Sequence, residues 1–231
     1  MSKELSISVC VPVFNEENTL REAVEELIAT ISPNIRKLEV IIINDGSTDS
    51  TMQIAEQIAR EHSQVRIIHH KEKLGVGTCY RDALVVAQGD YFSWFPADHE
   101  NSAEEFIYCL PYLRQNTIVT CHHYGQDPRS VSRRFISQSY TLILNKIFHL
   151  NLKYYNGLTV FPTSVLSSIS LFAEGFLFAS ETTIKAIRRG CNVIELSIPL
   201  RGRTCGKSTA LTLPSFLQMA KDVFSILRKE L

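Results

Sequence analysis

The sequence lacks several features that would each announce a class of protein. Its longest apolar stretches are of strand length and broken by polar residues, so no transmembrane span is expected, and no secretory signal is evident. It has no Pro-, Ser- or Gly-rich linker and no internal repeat, which excludes solenoid and multi-domain readings and leaves one domain over residues 1–231. It has no excess charge of either sign: Lys plus Arg and Asp plus Glu are 24 each, so no global positive field points to nucleic acid. The six cysteines, Cys10, Cys79, Cys109, Cys121, Cys191 and Cys205, form no Cys-x-x-Cys pair. They read as free thiols in a reducing, cytoplasmic compartment rather than as a disulfide frame or a zinc site. His122-His123 beside Cys121 would point to opposite faces of a strand, and His69-His70 read as the end of a strand from Val65.

What is present is a sheet-and-helix pattern with polar turns. Val40-Ile41-Ile42-Ile43 is a continuous β-branched run, suited to a strand covered on both faces. It drives into Asn44-Asp45-Gly46-Ser47-Thr48-Asp49, with Thr48 or Asp49 as cap of a helix from Met52 to Glu61. Upstream, Ile7 to Phe14 repeats the logic, running into Asn15-Glu16-Glu17 and a helix through Ala29, with Asn15 as its cap. Lys71 to Thr78 supplies a third turn with Gly75 and Gly77 ahead of a helix through Ala87, and glycine lets backbone amides come close to a ligand. Strands that feed helices in this way predict an α/β fold with a mostly parallel central sheet flanked by helices on both faces, binding its ligand at the C-terminal strand edge. Each turn also has a plainer reading as a well-capped connection.

Three further segments carry charge. Tyr91 to Pro96 is an apolar run ending in Asp98-His99-Glu100-Asn101, and two carboxylates spaced by two on an extended chain aim at the same side. Hard cations such as Mg²⁺ or Mn²⁺ take such oxygen ligands; capping of a helix over 102–113 is the alternative. Arg129, Arg133 and Arg134 precede an apolar helical pattern from Phe135 to Leu150. Ile194 to Leu200 leads into Arg201-Gly202-Arg203-Thr204-Cys205-Gly206-Lys207-Ser208, whose donors suit phosphate oxygens. This is not a Walker loop, because Gly202 stands four residues before Gly206 rather than five. Glu181 opens a helix to Arg189, and residues 214–230 have the pattern of an amphipathic helix.

The series VPVFNEE, IIINDGSTDST, the Gly75 turn, the acids after Trp94 and the Arg-rich Gly-Lys-Ser loop resembles the inverting family-2 glycosyltransferases of the GT-A nucleotide-sugar-binding fold. Within that group the likeness is greatest to dolichol-phosphate mannose synthases and their polyprenyl-phosphate relatives. The resemblance implies a UDP- or GDP-sugar donor held by Pro12, Asn15, Glu16, Asp45, Ser47, Gly75, Lys207 and Ser208. It implies Mg²⁺ or Mn²⁺ on Asp98 and Glu100, with Asp98, Arg134 and Arg203 as the catalytic set. The implied acceptor is a lipid phosphate, with a glycan or other hydroxyl acceptor as the alternative, in which case Glu181 would serve as base. Peripheral membrane contact and a homo-oligomer are compatible with the group. The chain departs from its pattern at Pro96, which replaces the first aspartate of the Asp-x-Asp signature, and at Lys153, where many members have an aspartate.

Overall fold

A computed structural model describes residues 4–98, 101–124, 131–173, 175 and 177–199. The expected sheet is present: seven strands in the order β3-β2-β1-β4-β6-β5-β7. Four of them, β1 (Ser6–Val13), β2 (Lys37–Asp45), β3 (Val65–His70) and β4 (Tyr91–Trp94), run parallel. Then β6 (Thr159–Pro162) lies antiparallel between β4 and β5 (Thr117–Tyr124), and β7 (Asn192–Pro199) closes the edge parallel to β5.

The β2 run explains the layering. Leu38, Val40 and Ile42 pack on one face with α1 (Leu20–Ile31), α2 (Thr51–Glu61) and α4 (Glu104–Cys109). Ile41 and Ile43 pack on the other with α3 (Val76–Val86), α5 (Val131–Phe148) and α7 (Phe178–Arg188). A strand buried on both faces has no polar side to show, which is why its sequence is continuous rather than alternating. A short helix, α6 (Thr163–Leu166), follows β6.

Strand order places the site. The chain steps outward from β1 through β2 to β3, then returns to lay β4 on the opposite side of β1. Ligands in open α/β sheets bind outside the carboxyl ends of the strands at such a reversal. Here β1 and β4 separate early: their pairing ends at Cys10 and Trp94, and the Phe95 amide donates to the Cys10 carbonyl at 2.8 Å. Pro12, two residues on, faces the same side, where the ladder has ended and its missing N–H costs nothing.

The helix starts differ from expectation. α1 begins at Leu20 rather than just after Asn15, and α2 at Thr51 behind Ser50, so Asn15, Thr48 and Asp49 are not N-caps. Asn15 turns instead to the second turn, as described below, whereas Asp49 Oδ1 accepts the amide of Thr51, the first residue of α2, at 3.0 Å and so still holds the helix start from one residue further back than the cap. The helix expected over 102–113 is a short α4 followed by a 3-10 turn at Leu110–Tyr112, where Pro111 interrupts it. The amphipathic segment 214–230 lies outside the described residues.

Candidate active site at the C-terminal strand edge

Three turns meet at the ends of β1, β2 and β3. The first two are joined by reciprocal hydrogen bonds. The Asn15 amide donates to Ser47 Oγ at 3.0 Å, while Asn15 Oδ1 accepts from the Thr48 amide at 2.8 Å. The Glu16 amide donates to Thr51 Oγ1 at 2.8 Å, and the Ser50 amide donates to the Glu17 carboxylate at 3.0 Å. Asn15 reaches this arrangement with φ 57, a left-handed conformation that Asn tolerates better than most residues. Turn residues that satisfy each other's backbone have no need of a helix-capping role.

The second and third turns are joined by Asp45 and Gly46. Asp45 is 4% exposed, and its carboxylate accepts the Leu74 amide at 2.8 Å, the Gly75 amide at 2.9 Å and His70 Nδ1 at 2.8 Å. Burial alone would raise its pKa, but the hydrogen bonds from His70, Leu74 and Gly75 outweigh it and hold the carboxyl below its ordinary range. Gly46, at φ +73, lies so close to the third turn that a Cβ there would stand 2.6 Å from the Glu72 carbonyl carbon. The third turn closes on the first through Lys73, whose Nζ sits 3.6 Å from the centroid of the Phe14 ring. The three turns are thus fastened pairwise around a junction that Asn15, Glu16, Asp45, Ser47 and Gly75 all border.

Asp98 lies half-buried in the segment that follows β4, the strand that diverges from β1. Pro12 flanks that divergence from β1. Arg134 lies half-buried in the first turns of α5. Glu100, Arg129, Arg203, Lys207 and Ser208 lie outside the described residues, as does the side chain of Arg133.

The structure adds residues that the sequence pattern did not single out. His70 does end β3 as expected, but its ring is buried between two carboxylates, with Nε2 3.0 Å from Asp82 Oδ2 on α3. Cys79 lies beside them; burial first, and then the Asp45 charge, push its thiol well up, so it stays protonated. The ligand atoms of Asp45, His70 and Cys79 fall within 4.8 Å of one another. The 2.8 Å Asp45–His70 distance is that of a hydrogen bond, and it accounts for the grouping without an ion. One signal could have disclosed this cluster: Asp45 and His70 are the last residues of adjacent strands and stand in register.

Glu181 is fully buried at the start of α7. Its oxygens accept the Phe172 amide at 2.9 Å and the Ala173 amide at 2.8 Å, and Lys185 Nζ stands 2.8 Å away. A carboxylate so enclosed holds the 172–173 loop onto α7, with its oxygens taken up by two amides and Lys185. In the loop between α5 and β6, Tyr155 packs on α5 and Gly157 on β5. Tyr155 donates to Asn145 Oδ1 at 2.8 Å, and a Cβ at Gly157 would collide with the Cys121 carbonyl oxygen.

A mostly parallel sheet with a reversal at β1 and three turns fastened at its C-terminal edge make this an α/β protein of the GT-A type. The chain belongs to glycosyl transferase family 2, whose model matches residues 8–176. It is 27% identical over 236 residues to an uncharacterized glycosyltransferase of Rickettsia typhi, covering 97% of this chain and 72% of that protein. A Rickettsia prowazekii counterpart is likewise 27% identical, with the same shares covered. Among solved structures it is similar to glucosyl-3-phosphoglycerate synthase of Mycobacterium tuberculosis in complex with Mn²⁺, UDP and phosphoglyceric acid. That match has a TM-score of 0.68 at 21% identity, over 96% of this chain and 77% of that one. A second mycobacterial protein matches with a TM-score of 0.70 at 17% identity, over 96% and 74%. These structural likenesses speak for the fold; the family match makes the chain a glycosyltransferase. A particular closeness to dolichol-phosphate mannose synthase does not emerge from them.

Proposed function

We propose that this glycosyltransferase moves a hexose from a UDP- or GDP-sugar, with inversion, to an acceptor that presents a phosphate, foremost a polyprenyl phosphate. The observation that carries the reading is the junction of three turns at the C-terminal ends of β1, β2 and β3, beside the point where β1 and β4 separate. In this reading the nucleoside lies against Pro12, Asn15, Glu16, Asp45, Ser47 and Gly75, and the diphosphate extends toward Asp98.

The fit of a divalent cation rests on Asp98 as a half-buried oxygen donor at a strand end. One or two carboxylates plus substrate phosphates suffice for Mg²⁺ or Mn²⁺, so the proline at position 96 does not exclude it. Asp98, with Glu100, would hold the ion, and bound there it would stabilise negative charge on the departing diphosphate. The crystallised mycobacterial synthase, with its Mn²⁺ and UDP, supports this assignment by analogy of fold.

An acceptor phosphate oxygen attacks the anomeric carbon from the face opposite the leaving diphosphate. The new C–O bond forms as the bond to the diphosphate breaks, and the electron pair leaves with the nucleotide. A phosphate is already anionic at neutral pH, so it needs orientation rather than a base. Arg134, Arg203, Lys207 and Ser208 are proposed to supply that orientation, by charge-assisted hydrogen bonds. The enclosed position of Glu181 supports the phosphate over a hydroxyl acceptor.

A lipid carrier is favoured by α5, where Phe135 and Leu142 are 69% and 68% exposed close to Arg134 in sequence. No helix among the described residues is long and apolar enough to cross a membrane, so contact would be peripheral, on the cytoplasmic face. A water-soluble phosphorylated acceptor is the second reading, drawn from the name of the mycobacterial synthase. Transfer of radiolabelled sugar to polyprenyl phosphate, 3-phosphoglycerate or a glycan, offered separately, tests the proposal. Label in the polyprenyl lipid is expected; label only in 3-phosphoglycerate selects the second reading, and label only in glycan rejects both.

A further inference from the structure

The hydrogen-bonded chain from Asp82 through His70 to Asp45 is not accounted for by the roles given above. Asp82 is 44% exposed at the side chain, His70 and Asp45 are 7% and 5%, so the chain runs from solvent into the interior and ends on the amides of Leu74 and Gly75. An ionised carboxylate accepts and does not donate, so the hydrogen between Asp45 and the ring lies on Nδ1. The ring therefore fixes which way the Asp45 carboxylate lies. Without it, Asp45 could rotate and leave one of two turn amides without its acceptor.

Apart from Asp45, the Leu74–Gly75 turn is held from the α3 side, where the Gly75 carbonyl accepts the Thr78 and Cys79 amides and the Leu74 carbonyl accepts Thr78 Oγ1 at 3.2 Å. Leu74 and Lys73 are exposed, and Gly75 has the freedom of φ 93. Its position against the first two turns depends on Asp45, on the close approach at Gly46 and on the Lys73–Phe14 contact.

We propose that His70, braced by Asp82, is a positioning residue for donor binding: it orients Asp45 so that the carboxylate pins the Leu74–Gly75 turn against the nucleotide junction. This rests on the donor-site reading above. His70 touches neither the sugar nor the phosphates and acts only through Asp45.

Two substitutions separate positioning from space-filling. The side-chain amide nitrogen of Asn falls near the place of Nδ1, whereas that of Gln reaches the place of Nε2. His70→Asn therefore keeps the donor to Asp45, and His70→Gln keeps the bond to Asp82 alone. Donor KM and kcat, measured with UDP- and GDP-sugars, should leave His70→Asn near wild type and raise KM about tenfold in His70→Gln, the size expected for one lost buried hydrogen bond. Asp82→Ala should give a smaller rise, because the ring remains.

Amide hydrogen exchange at Leu74 and Gly75 supplies a readout independent of any substrate. Protection is expected in wild type and His70→Asn, and its loss in His70→Gln. Equal exchange and equal KM in the Asn and Gln variants would overturn the proposal. Lost protection with unchanged KM would also overturn it, by separating the turn from the donor. If wild type bound no nucleotide sugar while exchange followed the expected pattern, the donor-site reading would fall, and the role in donor binding with it.

Discussion

Replacing Gly46 by Ala probes the contact between the second and third turns, and Gly190 provides its control. Both glycines have positive φ, +73 and +88. Placing alanine in the left-handed region costs about 1–2 kcal/mol at either position. Space distinguishes them. Nothing lies within 4 Å of a Cβ at Gly190, whereas one at Gly46 would meet three backbone atoms of Glu72 and Lys73 at 2.6, 2.8 and 2.9 Å. Backbone cannot swing aside as a flexible side chain can, so the turns must part, at a further cost of about 1–3 kcal/mol by comparison with overpacked cores. For a chain of this size, each kcal/mol lowers Tm by about 2–4 °C. Gly190→Ala should thus lose a few degrees with donor KM unchanged. Gly46→Ala should lose roughly twice as much and raise donor KM, since the parted turns border the nucleotide junction. Paired thermal melts and donor titrations make the comparison. Equal losses of Tm with the same donor KM in both variants would refute the reasoning that the close approach holds the site together.

The enclosed Glu181–Lys185 pair should behave as structure rather than chemistry. Removing one partner of a buried ion pair costs about 3–5 kcal/mol, so Lys185→Met should lower Tm sharply, and adding Glu181→Gln should recover part of the loss. A general base contributes about 10²–10⁴-fold to rate; a loss of that size in Glu181→Gln at undiminished stability would restore Glu181 as a base. For Asp45, whose folded pKa is depressed, the linked stability is present above the unfolded value of about 3.9 and lost as pH falls through the folded value. Melts of wild type and Asp45→Asn should therefore differ by a constant amount near neutrality and converge below about pH 4; a difference independent of pH would contradict the assignment.

The parts of the fold that were legible are those written in consecutive residues. The apolar run of β2, the alternating load of α1 and the turn at Asp45-Gly46 each follow from local chemistry, and together they imply the parallel sheet. The cap expected at Asn15 turns to the neighbouring turn while Asp49 does hold the first amide of α2, because an Asn or Asp ahead of a helical pattern looks the same whichever way its oxygen turns. That choice is made by β1–β2 pairing, which places the two turns side by side. His70 was read only as a strand end because its partners come from β2 and α3, 25 and 12 residues away. Glu181 carries two readings in sequence because the 172–173 amides it accepts come from a loop ahead of its own helix. The acid at Asp98 was legible, and so was Pro96 in place of the first aspartate of the signature.

Isothermal titration of UDP- and GDP-sugars with and without Mn²⁺, on wild type and Asp98→Ala, tests the donor site most directly. The account predicts that one donor binds wild type, that Mn²⁺ tightens the binding, and that Asp98→Ala keeps its fold while losing the Mn²⁺ effect. Binding that Mn²⁺ tightens equally in both proteins would contradict the placement of the cation on Asp98, and no binding of either donor would contradict the nucleotide junction itself.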